Sequence, residues 1–217
     1  MSVLITGGTG FIGSSIARKL VNKGQEVVIY DLYPNFDVIR DFAHRVTVVR
    51  GDVLDPIRLT ATIKEHDVQH IVHLAFLLTK ASHENPSLAI RVNLEGTDNV
   101  FNVARISGTG RVVYASSSAV YGPSSYYSKQ PIDENAPLKP ETVYGACKTF
   151  NDFLSEHYRS AYAADIVGLR PTWVYGIGVS GGLIGEINNL IKNPAMGEPV
   201  PLPDHWRKSK IDWIYIE

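Results

Sequence analysis

The chain has 217 residues, of which 44% are hydrophobic and 20% are charged, and its net charge is −1. These values are typical of a globular protein and disfavour a nucleic-acid-binding protein or a basic tail that binds anionic membranes. A single cysteine excludes an internal disulfide, and the seven scattered histidines lack the spacing of metal ligands. With no signal-like segment and no apolar stretch of about 20 residues, we expect a cytoplasmic protein without a metal, a nucleic-acid partner or a membrane partner.

Short β-branched runs alternate with longer segments of helical period. Strands are predicted at Val3–Thr6, Glu26–Tyr30, Val46–Val49, His70–Leu74, Arg111–Ala115 and Ile166–Leu169. Helices are predicted at Phe11–Asn22, Pro56–Glu65, Pro86–Ile106 and Glu141–Tyr162, with Gly24 as a C-terminal cap and Pro56 and Pro86 in first turns. Apolar strands that alternate with helices indicate parallel pairing with right-handed crossovers. The predicted fold is therefore α/β, a doubly wound parallel sheet of the Rossmann type.

The composition changes from Gly176 onward. Residues 176–182 read "GIGVSGG", and residues 192–205 read "KNPAMGEPVPLPDH", which is rich in turn residues. The final segment, "KIDWIYIE", reads as a strand. We predict a dinucleotide-binding domain over residues 1–175 and the start of a truncated substrate-binding lobe over residues 176–217.

The segment "LITGGTGFIG" at residues 4–13 places glycines between a strand and a helix. Gly8-x-Gly10-x-x-Gly13 matches the dinucleotide-binding fingerprint, and Gly7-x-x-Gly10-x-x-Gly13 is equally present. Glycines permit the tight turn and the close approach of a pyrophosphate, and the N–H groups at the start of the helix, at Phe11 and Ile12, face the anion. The alternative is a glycine-rich turn that binds no ligand.

Acidic residues follow the second and third predicted strands. Asp31 can accept hydrogen bonds from both adenosine ribose hydroxyls, and it would repel a 2′-phosphate. No arginine lies beside it in "YDLYP", which favours NAD over NADP. Asp52 can accept a hydrogen bond from the adenine amino group, with Val53 against the ring. The alternatives are a strand-end cap for Asp31 and an ordinary loop aspartate for Asp52.

A serine run and a Tyr-x-x-x-Lys pair supply the candidate reactive groups. The fifth predicted strand runs into Ser116, Ser117 and Ser118, and ligands of open α/β sheets bind beyond the carboxyl ends of the strands. Tyr144 and Lys148 lie one helical turn apart. Taken alone, the pair is more often a surface helix with an extended lysine, and the serines are a polar strand end.

Six motifs in order resemble the extended short-chain dehydrogenase/reductase family, the NAD-dependent epimerase/dehydratase group. They are "TGGTGFIG" at 6–13, "HLA" at 73–75, "VNLEGTDNV" at 92–100, "YASSSAVYG" at 114–122, "YGACK" at 144–148 and "LRPTWVYG" at 169–176. The resemblance covers essentially the whole chain. It implies an enzyme that uses NAD and has Ser117, Tyr144 and Lys148 as its catalytic residues.

The remaining site residues come from the motifs and from this resemblance. The expected cofactor contacts are Gly7, Gly10, Phe11, Ile12, Asp31, Asp52, Val53, Leu74, Ala75, Asn93, Ser116, Tyr144, Lys148, Pro171 and Val174. Asn93 has a mainly structural role in the family. The expected substrate contacts are Ser117, Ser118, Phe76, Tyr144 and Arg207. Phe76 is alternatively a packing residue, and Arg207 is alternatively a solvated loop charge.

The chemistry predicted for Tyr144 and Lys148 follows from their charges. A free tyrosine has a pKa of about 10, too high for a base at neutral pH. The ammonium of Lys148 and an oxidised nicotinamide favour the phenolate and are expected to lower the pKa of Tyr144. Tyr144 can then accept a proton from a substrate hydroxyl while Ser117 holds the same oxygen and hydride leaves for the nicotinamide.

The resemblance leaves three functions open for a small-molecule substrate. The first is nucleotide-sugar 4-epimerisation, although Ile211 stands where epimerases of the family often have a nucleotide-binding arginine. Dehydration is disfavoured because Ser118 and Ala119 replace an acidic pair. The second is an NAD-dependent dehydrogenase of a small or apolar alcohol, and the third is a non-catalytic NAD-binding module. Family members commonly dimerise through the two long helices, so we expect a homodimer.

Overall fold

The computed structural model describes residues 1–129, 131–176, 182–200 and 213–216. The chain divides into two compact units, Met1–Arg170 and Pro171–Glu217. The predicted domain boundary lies a few residues further along, after Tyr175.

The first unit contains six strands and the helices that connect them. The strands are β1 Ser2–Thr6, β2 Glu26–Asp31, β3 Thr47–Arg50, β4 His70–His73, β5 Val112–Ala115 and β6 Ile166–Leu169. The helices are α1 Phe11–Asn22, α2 Phe36–Ile39, α3 Pro56–Glu65, α4 Thr79–Glu84, α5 Pro86–Ile90, α6 Gly96–Ile106 and α7 Val143–Tyr162. Every predicted strand of this unit is confirmed to within one residue at each end.

The six strands form one parallel sheet in the order β3-β2-β1-β4-β5-β6. The direction of winding reverses between β1 and β4, so a crevice opens beyond their carboxyl ends, where dinucleotides bind in Rossmann folds. Thr6, Asp31, His73 and Ala115 end four of the strands at this edge. The predicted Rossmann fold is confirmed, and its topology brings distant motifs to one place.

Two buried clusters cover the two faces of the sheet. One joins the strands to α1 and α2 through residues such as Ala17 and Ile39. The other joins them to α3, α6 and α7, where the ring of Phe101 packs edge-on against Tyr114 and Tyr158 at centroid distances of 5.2 and 5.7 Å. The sheet is therefore a middle layer with helices on both sides.

Local signals for helix ends are mostly confirmed. Pro56 and Pro86 lie in the first turns of α3 and α5. Gly24 follows α1 with φ of +73°, a conformation that favours glycine after a helix. Helix α7 begins two residues later than predicted, because the side chain of Thr142 accepts a hydrogen bond from the N–H of Gly145 and caps the helix there.

The predicted helix Pro86–Ile106 is wrong as one continuous α-helix. A π-helical turn, Arg91–Glu95, separates α5 from α6. The carbonyl of Asn93 accepts hydrogen bonds from the Thr97 hydroxyl at 2.7 Å and from the Asn151 amide at 2.9 Å. One local and one tertiary side-chain bond thus stabilise the wider turn, and hydrophobic periodicity does not reveal them.

The second unit contains β7 Trp173–Tyr175, α8 Gly182–Ala195 and β8 Trp213–Tyr215. β7 pairs in parallel with β8, and the side chain of Asn188 in α8 bonds both the N–H and the carbonyl of Gly176. The predicted final strand is confirmed over Trp213–Tyr215, but β7 and α8 were not predicted, because glycine and proline dominate the sequence around them. No helix in the described ranges is long and apolar enough to cross a membrane.

Candidate active site

The glycine loop between β1 and α1 leaves no room for side chains. Gly7 has φ of +67°, and a Cβ there would lie 2.9 Å from the carbonyl oxygen of Leu74. A Cβ on Gly13 would collide with the carbonyl oxygen of Gly7, so the helix packs directly on the loop. Gly10 caps α1 without a side-chain bond, which leaves the N–H groups of Phe11 and Ile12 without helical acceptors. This is a cradle for an anion at a helix N-terminus.

Asp31 ends β2 beside this loop. Its carboxylate accepts hydrogen bonds from the N–H and hydroxyl of Thr9, at 3.1 and 2.7 Å, and from the N–H of Tyr33 at 3.2 Å. The carboxylate is thus held in a fixed orientation at the rim of the crevice. Thr9 was not predicted as a site residue. A hydroxyl side chain between the loop glycines could have indicated that it bonds Asp31.

Asp52 and Val53 follow β3. The Asp52 carboxylate accepts a hydrogen bond from the N–H of Leu54 at 2.9 Å, as an ordinary turn aspartate does. Val53 is buried, and its carbonyl accepts a hydrogen bond from the amide of Asn99. Their predicted contacts with adenine stay predictions.

Buried polar groups fix the loop that follows β4. The Thr6 hydroxyl accepts from the N–H groups of Leu74 and Ala75 and donates to His73 Nδ1 at 2.7 Å. His73 Nε2 in turn lies 3.2 Å from the hydroxyl of Thr97. Burial lowers the pKa of His73 to about 3, so the ring is neutral and acts through its hydrogen bonds. Leu74 and Ala75 were predicted as site residues, but Thr6, His73 and Thr97, whose hydrogen bonds fix this loop, were not.

The side chain of Asn93 also fixes the loop after β4, through hydrogen bonds to its backbone. Its Oδ1 accepts from the N–H of Leu77 at 2.8 Å, and its Nδ2 donates to the Leu77 carbonyl at 3.0 Å. The side chain is fully buried. Asn93 therefore contacts the loop that carries Phe76, which agrees with a structural role.

Lys148 is 0% exposed and lies under the carboxyl edge of the sheet. Its Nζ donates to the carbonyl of Ala115, the last residue of β5, at 2.5 Å, and lies 2.7 Å from the ring centroid of Phe76. The ring centroid of Tyr144 is 5.4 Å from the same nitrogen, so the two side chains share one face of α7. Burial lowers the pKa of Lys148 well below its usual value.

Burial raises the pKa of Tyr144 above its usual value, and a hydrogen bond with Ser117 lowers it by less. The pKa of Tyr144 is therefore raised in the chain by itself, and the expected lowering by Lys148 together with an oxidised nicotinamide stays a prediction. The catalytic roles of Ser117 and Tyr144 stay predictions. Ser117 also accepts a hydrogen bond from the N–H of Ala119, which holds its hydroxyl in place.

The other serines of the run differ in their surroundings. Ser116 is 1% exposed, and its hydroxyl has no hydrogen-bond partner among the described parts of the chain. An orphaned buried hydroxyl at this edge fits a ligand that supplies the missing bond. Ser118 is half-buried and begins a short 3₁₀ turn. Together with the glycine cradle and Asp31, Ser116 makes this edge a good fit for a dinucleotide.

A second network fixes α7 one turn beyond Lys148. Asp152 accepts from the Tyr114 hydroxyl at 2.7 Å and from Arg170 Nε at 2.8 Å, and Arg170 also donates to the Tyr121 hydroxyl at 2.5 Å. These bonds join α7 to β5, to the loop after β5 and to the end of the first unit. Sequence reasoning missed Asp152, which lies four residues after Lys148 and so on the same helical face.

Three predicted site residues lie elsewhere. Pro171 and Val174 belong to the second unit, and Arg207 lies outside the described residues. Their proposed contacts with cofactor and substrate stay predictions.

The chain was compared with protein families, curated proteins and solved structures. The model of the "NAD dependent epimerase/dehydratase family" matches residues 3–217. A putative UDP-glucose 4-epimerase of Methanocaldococcus jannaschii is 32% identical over 198 residues, which is 88% of this chain and 63% of that protein. The chain thus spans about three fifths of the length of that relative.

Solved structures agree in fold. The structure of Thermus thermophilus UDP-glucose 4-epimerase in complex with NAD matches with a TM-score of 0.86 and 30% identity, over 100% of this chain and 71% of that one. A monomeric L-threonine 3-dehydrogenase from a metagenome matches with a TM-score of 0.77 and 26% identity, over 87% of this chain and 59% of that one.

Removal of the Ser117 hydroxyl is expected to raise the pKa of Tyr144 still further, because the hydrogen bond that stabilises the phenolate is lost. The measurement is the phenolate absorbance of Ser117→Ala as a function of pH, with the spectrum of the same variant carrying Tyr144→Phe subtracted. Ser118→Ala is the matched control, and it should leave the titration of Tyr144 where it is in the unaltered chain. An unchanged or lower pKa in Ser117→Ala would contradict the assigned hydrogen bond.

Proposed function

This chain belongs to the NAD-dependent epimerase/dehydratase family, and from that premise we propose that it oxidises and reduces a secondary alcohol with NAD. The observation that carries the proposal is the arrangement of Ser117, Tyr144 and Lys148 at the carboxyl edge of the sheet. Ser117 follows β5, Tyr144 and Lys148 lie on α7, and the loop that follows β4 lies beside Lys148.

Groups of this chain could bind the pyrophosphate and both riboses of NAD. The N–H groups at the start of α1 would meet the pyrophosphate, Asp31 the adenosine ribose, and Lys148 the nicotinamide ribose. Bound NAD supplies the hydride acceptor and, when oxidised, a positive ring charge. Gly7 and Gly13 let the loop pack closely against the backbone of Leu74 and against itself, which sets the start of α1 where the pyrophosphate would bind.

Proton transfer is assigned to Tyr144. As hydride leaves the substrate carbon, the alcohol proton moves to Tyr144 Oη, and Ser117 donates a hydrogen bond to the same substrate oxygen. The reverse step returns the proton from Tyr144 to the carbonyl oxygen. Because burial raises the pKa of Tyr144 in the chain alone, positive charge has to act on it for the phenolate to form. General acid–base help of this kind is worth about 10²- to 10⁴-fold in rate.

Nucleotide-sugar 4-epimerisation is the preferred reaction. The names of the relatives support it, since several are UDP-glucose 4-epimerases. Epimerisation needs hydride removal and return at one carbon, with the same tyrosine serving both steps. Ser118 and Ala119 supply no acidic pair after Ser117 for dehydration.

An NAD-dependent dehydrogenase is the second candidate. The apolar ring of Phe76 lies directly on Lys148, which favours a substrate with an apolar face over a sugar. The fold likeness to a threonine dehydrogenase is a further observation in its favour. A non-catalytic NAD-binding module is disfavoured, because such a protein has no need of the Ser117–Tyr144 contact or of a buried lysine beside it.

One assay separates these functions. The protein is incubated with NAD and a panel of nucleotide sugars, amino acids with a β-hydroxyl and simple secondary alcohols. Inversion of a sugar carbon without accumulation of NADH marks the epimerase, and accumulation of NADH marks the dehydrogenase. Tight binding of NAD without turnover across the panel marks the module.

Tyr144→Phe is expected to reduce kcat/KM by about a hundredfold or more, because the proton acceptor is lost. NAD affinity should stay near that of the unaltered protein, since the missing hydroxyl acts on the substrate. Tyr162→Phe, an exposed tyrosine at the far end of α7, is the matched control and should retain full activity. A Tyr144→Phe variant with more than about a tenth of the original rate would refute the role of Tyr144.

We also propose a homodimer that forms through α5, α6 and α7. Large apolar side chains on these helices are exposed, namely Leu88, Ile90, Ile106, Phe150 and Phe153. Burial of such surface against a second copy is the main favourable term in association.

Sedimentation at tens of micromolar should show a dimer of the unaltered chain, and Phe153→Glu should convert it into a monomer by placing a charge in the interface. Ile57→Glu alters a side chain that is also exposed, but on α3, and should leave the dimer intact. A monomer of the unaltered chain at these concentrations would contradict the proposal.

A further inference from the structure

Phe76 separates two buried groups at the crevice. Its ring centroid lies 4.5 Å from the ring of His73 on one side and 2.7 Å from Lys148 Nζ on the other. Phe76 is only half-buried. Its ring therefore lies against a fully buried ammonium while part of the residue remains open to solvent.

The ammonium has few other partners. An ammonium carries three donor hydrogens, and the Ala115 carbonyl takes one of them. The face of an aromatic ring attracts a cation, most strongly where water is excluded. Phe76 therefore satisfies part of the charge of Lys148 and keeps water from it, in agreement with the full burial of that side chain.

Hydrogen bonds fix the backbone on both sides of Phe76, but its ring is positioned by packing alone. The Thr6 hydroxyl holds the N–H of Ala75, and Asn93 holds both backbone groups of Leu77. The backbone on both sides of Phe76 is therefore fixed. A change of the Phe76 side-chain torsion is the simplest way to uncover Lys148.

We propose that Phe76 is a movable cover over Lys148, whose ring competes with the hydroxyls of the cofactor ribose for the ammonium. This inference rests on the proposed function, in which Lys148 binds that ribose. The ring has to leave the ammonium before the ribose can reach it, so Phe76 weakens NAD binding and protects the lysine when NAD does not hold it.

Chemical labelling tests the cover without any cofactor. The charged and titratable groups around Lys148 are neutral His73, Cys147, Tyr144 and Asp152, and the net effect of the site is a pKa well below that of a surface lysine. The unaltered protein and the Phe76 variants are treated with a small acetylating reagent under the same conditions, and labelling of Lys148 is compared with that of an exposed lysine. Lys80, with 82% of its side chain exposed, is the internal reference.

In the unaltered protein, Lys148 is expected to stay unlabelled while Lys80 is acetylated, as read by mass spectrometry of peptides. In Phe76→Ala, Lys148 should become labelled, and NAD should protect it again. Phe76→Leu keeps most of the apolar volume and carries the test if Phe76→Ala does not fold. Equal labelling of Lys148 with and without the phenyl ring would overturn the cover.

Binding of NAD tests the competition. Phe76→Ala and Phe76→Leu should both tighten NAD binding by about five- to tenfold, the order expected when a cation–π contact no longer competes. The same substitutions made in a Lys148→Met protein should change NAD affinity little, because the ring then has no ammonium to cover. Unchanged or weaker NAD binding in both Phe76 variants would overturn the proposal.

Acetylation of Lys148 and NAD affinity together also test this inference separately from the proposed function. Failure of the unaltered protein to bind NAD would refute the proposed function, and the labelling of Lys148 in Phe76→Ala would still decide whether the ring is a cover.

Discussion

The site depends on one buried cation. Removing an ammonium from water is unfavourable unless acceptors replace the lost hydration. Lys148 finds them in the carbonyl of Ala115 and the face of Phe76, at the carboxyl edge of the sheet. Because Ala115 ends β5 and Lys148 belongs to α7, this contact fixes the helix against the strand. Tyr144, one turn earlier, is then held beside Ser117, which follows the same strand.

Buried polar networks fix the walls of the crevice around that cation. His73 joins the end of β1 to α6 through two threonine hydroxyls, and Asn93 carries the restraint into the loop after β4. Asp152 and Arg170 do the same one turn further along α7. Each group is satisfied by another, so the arrangement is rigid around Tyr144 and Lys148. The Phe76 side chain is the exception, held by packing alone between two such networks.

Much of this architecture could be predicted from the sequence, for identifiable reasons. The strands are short and almost wholly apolar, and the glycines at 7–13 have one common use between a strand and a helix. The π-helical turn at Arg91–Glu95 could not be predicted, because the bond from Asn151 to the Asn93 carbonyl spans 58 positions. Helix α8 was hidden by flanking glycines and prolines. The raised pKa of Tyr144 in the chain by itself could not be predicted, because the sequence shows that a lysine is near but not that the phenol is desolvated.

The central claim is that the glycine loop and the buried lysine serve one bound dinucleotide. A crystal structure of the protein with NAD tests it most directly. The account predicts the pyrophosphate against the N–H groups of Phe11 and Ile12, and a ribose hydroxyl within about 3 Å of Lys148 Nζ, with the Phe76 ring turned away. NAD bound with its nicotinamide half outside the crevice, and Lys148 still beneath the ring, would contradict it.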